Sequence, residues 1–291
     1  MACTALPLEP WLRERMFQFC QLSGHQGTIV PATDKTLWKK TSPSDREAAS
    51  YRAMLADPHI CTLVPRFTRE VTHNDELFLE IEDLTHYFNE PAVMDVKIGK
   101  RTFLESEVSN PSVRNDLYNK MVKIDINEPT PDEHEQQAVT KLRYMQFRER
   151  QSSSYTYGFR IEAIKPPFRP CKKNFQKVRA KDQIVCVLND FIKGNSTLRK
   201  AFVQRLKSIR NLVEQSQFFK KHEMIGSSLL FIYDDQHCGV WMIDFAKCMP
   251  VDEGRLLNHR QDWVMGNRED GYLTGLDHLI QIFEDSKYGA Y

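Results

Sequence analysis

The stretch Pro91-Ala-Val-Met-Asp95-Val-Lys97-Ile-Gly99 decides how the chain is read. Successive residues of an extended segment point to opposite faces, so Val93, Asp95 and Lys97 share one face and Met94, Val96 and Ile98 the other. The second face is apolar enough to hold a strand against a core. The first sets a carboxylate beside an ammonium, and Gly99 with Lys100-Arg101 follows directly. Such a row suits a highly anionic ligand whose hydroxyl has to be oriented for transfer. The same alternation also fits an ordinary strand carrying a solvent-facing ion pair, and such pairs contribute little to stability.

Bulk properties bound the reading. With 291 residues, 41% of them apolar and 27% charged, the chain can form one large domain or two joined lobes around a substantial core. The net charge of +1 argues against a protein that coats nucleic acid. An anion site must therefore come from local clustering of Lys and Arg. No apolar run approaches the roughly 20 residues of a membrane span. Residues 1–10 lack a charged segment followed by an apolar core, so no signal peptide is expected. The seven cysteines are odd in number and form no Cys-x-x-Cys pair. They read as reduced thiols, which sets the expectation of a cytoplasmic protein without structural zinc.

Upstream of the central strand, Leu22-Ser-Gly-His-Gln-Gly27-Thr28 has the character of a tight turn between strands. Thr36-Leu-Trp-Lys-Lys40 is strand-like and carries two lysines. Ser44–Leu55 has helix-start signals and runs into Tyr51, Met54 and Leu55. Leu63–Phe67 and Leu77–Ile81 have strand character, and Glu82-Asp83-Leu84 follows as a polar strand exit. Trp11–Phe19 spells a short helix of bulky apolar and basic residues, a pattern shared by calmodulin targets and by N-terminal packing helices.

Downstream, Val113, Leu117, Met121 and Val122 lie at helical spacing, with Arg114, Lys120 and Lys123 elsewhere around the turn. Thr130-Pro131-Asp132-Glu133 is a helix start, and the helix is expected to continue through Gln137 into Lys141-Leu-Arg-Tyr-Met-Gln-Phe-Arg148. Lys141, Tyr144 and Arg148 share one face of it, either a solvated stripe or a platform for several phosphates. Gly158–Ile164 alternates like a strand and ends at Lys165. From there to Lys181 the chain is basic and free of acids, a loop by composition. Ile184–Ile192 and Leu198–Val213 are helices with apolar stripes. Ser227–Tyr233 and Val240–Phe245 are strands joined by a hairpin turn, with Asp244 at the exit of the second. Gly266–Tyr272 leads into a last helix.

The Pro-x-x-x-Asp-x-Lys-x-Gly pattern resembles the signature of the inositol polyphosphate kinases, and Pro91, Asp95, Lys97 and Gly99 meet every fixed position. Gly226-Ser-Ser-Leu-Leu-Phe231 and Ile243-Asp244-Phe245 agree with it. Ala138–Arg148 is similar to the branch that phosphorylates inositol 1,4,5-trisphosphate at the 3-hydroxyl. The similarity runs from about Phe19 to near the C-terminus. It implies an α+β, two-lobed, kinase-like architecture that grasps ATP: an N-terminal flank (1–18), an antiparallel nucleotide lobe (19–90) and a larger α/β lobe (91–291). A helical inositol-phosphate-binding insert is expected at about 103–157.

The expected function is ATP- and Mg2+-dependent transfer of the γ-phosphate to the 3-hydroxyl of inositol 1,4,5-trisphosphate. The resemblance assigns catalysis to Asp95 and Lys97. It assigns ATP binding to Thr28, Lys39 (with Lys40 a near alternative), Glu82, Asp83, Leu84, Asp95, Lys165 and Asp244. Metal binding falls to Asp244 and Ser228. Substrate binding falls to Lys97, Arg114, Leu117, Lys120, Lys141, Arg143, Tyr144, Arg148 and Lys247. Ala246 stands where protein kinases have the glycine of Asp-Phe-Gly, and no His-Arg-Asp loop is present. The alternatives are a broader inositol polyphosphate multikinase and a non-catalytic inositol-phosphate-binding scaffold. The expected assembly is a monomer, with calmodulin a candidate partner.

Overall fold

Local sequence accounts for most of the elements in the computed structural model, which describes Leu22 and residues 27–285. The N-lobe is a meander of four strands, β1 (Ile29–Pro31), β2 (Thr36–Thr41), β3 (Phe67–His73) and β4 (Glu76–Glu82), with helix α1 (Glu47–Ala56) crossing behind. All pairs are antiparallel and the order is β1-β2-β4-β3. The β3–β4 turn is the tight connection expected where Asn74 and Asp75 both take positive φ. Tyr51 of α1 is fully buried between the Phe67 and Phe245 rings. Residues 57–66 form turns, so the strand expected at Leu63–Phe67 begins only at Phe67; Pro65 lacks the N–H that a ladder would need there.

The C-lobe is built on β5 (Ala92–Ile98). Next come the two-residue strands β6 (Val113–Arg114) and β7 (Val139–Thr140), with helix α2 (Asn115–Ile124) between them. Helix α3 (Lys141–Arg150), β8 (Phe159–Lys165), helix α4 (Lys181–Phe191) and helix α5 (Ser196–Gln215) follow. The chain closes with β9 (His222–Ile225), β10 (Ser228–Tyr233), β11 (Cys238–Ile243), β12 (Lys247–Pro250) and helix α6 (Tyr272–Glu284). The central sheet has the order β11-β10-β5-β8, all antiparallel.

Met94, Val96 and Ile98 are buried against Leu229, Phe231, Val240 and Met242, while α5 and α6 pack beneath through Phe202 and Phe283. One continuous apolar core joins this lobe to the N-lobe through Tyr51, Leu79 and Ile81. Gly275 is required in α6, because a Cβ there would lie 1.9 Å from the Gly158 carbonyl oxygen. Of the described residues, no helix is long and apolar enough to cross a membrane.

The insert differs from its expected form. Helix Pro131–Gln136 ends at Gln137, which takes φ +48°, and the chain then runs through β7 before α3 begins. Thr140 caps α3 by accepting the Arg143 N–H at 3.1 Å. Two helices therefore stand where one was expected, because a left-handed residue followed by a capping threonine stops one helix and starts another. Leu117, Met121, Val139, Tyr144 and Phe147 form a small core belonging to the insert alone.

Candidate active site

The site face of the central sheet is set by strand parity. Asp95 lies opposite Leu230 and Ala163, and Lys97 opposite Ser228 and Arg160. Between those two pairs β8 carries a bulge at Glu162. Without that extra residue, Phe159 and Ile161 could not face the core together with Ile164, since strand faces repeat every second residue. The bulge also delivers Glu162 to the site, where its carboxylate is 3.7 Å from Lys97 Nζ and 2.6 Å from Arg160. Asp95 is almost completely buried, at 1% exposure.

A cleft enclosing about 750 Å³ of space, partly open to solvent, separates the lobes. It is lined from the N-lobe by Ile29, Leu37 and Lys39, and from the C-lobe by Val93, Asp95 and Asp244. Its mostly apolar walls, with Lys39, Asp95 and Asp244 among the lining residues, suit a ligand that joins a flat apolar ring to a charged tail. Lys39 Nζ bridges the cleft, donating to Asp244 Oδ1 at 2.6 Å and to Glu47 Oε1 at 2.7 Å. Burial alone would push the Lys39 pKa down, but the two carboxylates outweigh it and hold the ammonium charged far above its usual range. Burial likewise works to raise the Asp244 pKa, and Lys39 reverses the sign. Asp244 sits at φ +67°, a left-handed conformation unusual for a non-glycine residue, of the kind that concentrates at functional sites. Phe245 behind it is fully buried, and its N–H donates to Glu47 Oε1 at 3.0 Å.

Glu82, Asp83 and Leu84 also line the cleft. The Glu82 N–H donates to the Arg66 carbonyl and the Asp83 N–H to the Lys35 carbonyl, each at 2.8 Å, so those two amides are already used within the protein. The Asp83 side chain accepts from Thr85 N–H and Oγ1. Thr28 precedes β1 and accepts the Lys40 N–H through its carbonyl. Lys40 pairs with Glu76 on the exposed side, whereas Lys39 faces the cleft. Lys165 lies opposite Val93 at the end of β8 and therefore on the site face. Residues 23–26 of the expected tight turn, and Trp11–Phe19, lie outside the described residues.

Ser228 is fully buried next to this face, and its Oγ finds no hydrogen-bond partner among the described residues. An orphaned hydroxyl in register with Ile243, one residue before Asp244, fits the edge of a divalent-metal site. Among the described residues no three His, Cys, Asp or Glu side chains converge as a metal cage. A carboxylate and a hydroxyl completed by nucleotide phosphates match the way Mg2+ is usually held.

The residues expected to hold the inositol phosphates separate into two sets. Lys141 of α3 and Lys247 of β12 converge on Glu107, at 3.9 Å and 2.8 Å. On α3, Arg148 donates to Tyr144 Oη at 3.2 Å. The others have different surroundings. Leu117 is buried in the insert core. Arg143 bonds Glu128 and Glu133, fastening the loop before α3. Arg114 forks onto Asp116, which Lys120 also approaches, all three well exposed. Leu117 and Arg143 thus build the insert in this structure rather than line an open site. Sequence reading passed over Glu47, Glu107 and Glu162. Glu47 had a signal, an acid in the first turn of the helix after the lysine strand; Glu107 and Glu162 had none.

An antiparallel lobe and a larger mixed lobe, clasping a cleft with a cationic bridge to a strand-end aspartate, define a kinase-like fold. The solved structure of inositol phosphate multikinase Ipk2 from S. cerevisiae, in complex with ADP and Mn2+, has this fold: TM-score 0.58 at 17% identity, covering 86% of this chain and 98% of the other. Residues 78–284 match the family described as inositol polyphosphate kinase. The chain is 50% identical over its whole length to an inositol-trisphosphate 3-kinase homolog of Caenorhabditis elegans, covering 60% of that protein. It is 43% identical to rat (Rattus norvegicus) inositol-trisphosphate 3-kinase A over 92% of this chain and 59% of that one. To the human inositol polyphosphate multikinase it is 25% identical over 56% of its length and 33% of the other. This chain belongs to the inositol polyphosphate kinase family. It spans about 60% of the length of the C. elegans and rat relatives, and 42% and 30% of the mouse C and human B forms of inositol-trisphosphate 3-kinase.

Proposed function

We propose that the protein is an ATP-dependent inositol 1,4,5-trisphosphate 3-kinase, forming inositol 1,3,4,5-tetrakisphosphate. The observation that carries this reading is that Lys39, Asp95 and Asp244, from three distant parts of the chain, line one cleft. Its relatives at 41–50% identity are trisphosphate 3-kinases, and the insert presents Lys141 toward Lys247 through Glu107.

Phosphoryl transfer needs alignment and charge neutralisation more than covalent help. Lys39 holds the ATP phosphates. Asp244, with Ser228 beside it, would hold Mg2+, which when bound would neutralise charge on the polyphosphate. Asp95 accepts the proton of the 3-hydroxyl as its oxygen bonds to the γ-phosphorus and the bond to the ADP oxygen breaks. Lys97 lies between the transferring group and a substrate phosphate, screening their repulsion. Lys141, Arg148 and Lys247 hold the remaining phosphates, and Lys165 lies toward the nucleotide. The protein functions as a cytoplasmic monomer in this reading.

The test is to incubate purified protein with labelled ATP and inositol 1,4,5-trisphosphate and map the labelled position. Label at the 3-hydroxyl is expected. Label at other hydroxyls, or equal use of several inositol phosphates, would overturn the assignment in favour of a multikinase.

A further inference from the structure

The phosphate-facing lysines are not bare. Glu107, on the one-turn helix Glu105–Val108 between β5 and the insert, places both carboxylate oxygens on Lys247 Nζ, at 2.9 and 2.8 Å. The same group is 3.9 Å from Lys141 Nζ, and its Oε2 accepts the Leu104 N–H at 2.8 Å. Burial would raise its pKa, but the bonds from Lys247 and the Leu104 amide outweigh that, so it is ionised. A fixed negative charge therefore sits where the insert meets β12, between two cations of opposite elements. The backbone bond to Leu104 holds it there rather than leaving it free to swing away.

We infer that Glu107 is a specificity-determining residue: a carboxylate built between Lys141 and Lys247 that limits how many phosphates the inositol ring can carry into the site. The inference rests on the proposed role of those lysines in substrate binding. Its logic is differential. Neutralising Glu107 changes the lysine positions equally for every ligand, whereas the electrostatic gain grows with ligand charge, because each added phosphate brings further negative charge against the carboxylate. Selectivity by a repulsive element needs no contact that the favoured ligand gains.

The test is calorimetric binding, without nucleotide, of inositol 4,5-bisphosphate, 1,4,5-trisphosphate and 1,4,5,6-tetrakisphosphate to the whole chain and to three variants. Glu107→Gln keeps the shape and removes the charge. Its affinity relative to wild type should improve by about fivefold or more with each added phosphate at the effective dielectric of a partly exposed site. Glu107→Asp keeps the charge and should keep the wild-type ranking, and melting curves check that both are folded. A uniform change across the three ligands in Glu107→Gln would overturn the inference while leaving the site intact. Wild-type affinities in Lys247→Ala for all three ligands would overturn the binding site itself, and this inference with it.

Discussion

Lys39 Nζ and Asp244 Oδ1 meet at 2.6 Å across the cleft, joining the second strand of the N-lobe to the exit of a C-lobe hairpin. Glu47 completes the group at 2% exposure and also receives the Phe245 N–H, so one carboxylate positions both the lysine and the strand end. Glu47→Gln should keep the bond to Phe245 and remove one of the two negative charges that face Lys39. A charge-assisted bond contributes about 1.5–3 kcal/mol, so a roughly 10- to 100-fold loss in kcat/KM for ATP is expected. Steady-state kinetics with ATP as the varied substrate would check it.

Asp95 lines the cleft, and Lys97 shares its face of a strand whose other face is core. Substitution on the site face should leave folding intact while removing charge aimed at the reacting group. Asp95→Asn and Lys97→Ala are each expected to lower kcat by roughly 10²–10³. Circular dichroism and melting curves close to wild type would accompany this. Near-normal turnover in Asp95→Asn would refute its assigned role.

The insert stands on five buried side chains of its own, with Phe147 fully buried among them. Phe147→Ala should cost about 3–5 kcal/mol, concentrated in the insert. Amide exchange should quicken across residues 115–150, and inositol phosphate affinity should fall while nucleotide affinity holds. Equal loss of both would show that the insert does not fold as a separate unit.

Glu149 of α3 accepts the Thr102 N–H at 2.8 Å and the Thr102 hydroxyl at 3.0 Å, tying the insert to the end of the central strand. Burial is the main cause that lifts its pKa to about 7. Between pH 4.5 and 7 the folded chain keeps a proton that the unfolded chain has released, so stability falls as pH rises through that window and then levels. Glu149→Gln can accept the same bonds without titrating. Its denaturation midpoint should vary less between pH 5 and 7 than that of wild type.

His259 and Asp270 give the opposite chemistry with the same sign. Buried His259 donates from Nδ1 to the Asp270 carboxylate at 3.0 Å and from Nε2 to the Phe219 carbonyl at 2.9 Å, so both nitrogens carry protons. Burial alone would lower its pKa, but Asp270 overrides this and raises it. The stabilisation is complete below the ordinary value of 6.5 and is lost as pH rises through the raised one. The Asp270 carbonyl also accepts the Lys100 and Arg101 N–H groups just beyond Gly99. His259→Gln should destabilise by about 3 kcal/mol, since it removes the counter-charge of a buried carboxylate that keeps only its bonds from the Met224 and Tyr272 N–H groups. It should also remove the alkaline decline seen in wild-type thermal melts.

Much of this was open to a reader of the chain alone. The alternation through residues 93–98 set which side chains face the core, because strand parity is a local property. The hairpin ending at Asp244 and the apolar stripes of α4, α5 and α6 were equally local. Where local rules misled, a second local rule had gone unnoticed. Gln137 and Thr140 divided the insert helix, and Pro65 delayed β3. Leu117 and Arg143 were assigned to the substrate by resemblance, but their surroundings here are contacts between segments, and no spacing along the chain reports those.

The sequence by itself determined the elements, the two faces of the central strand and the membership of an inositol polyphosphate kinase family. Only the tertiary structure decided which charges keep company: Glu47 with Lys39, Glu107 with Lys247, Glu162 with Lys97. The reason is that a cation's effect on a bound phosphate depends on the carboxylates within a few ångströms of it. Those carboxylates arrive from β8, from α1 and from the turn before the insert, at distances along the chain that folding alone brings to contact.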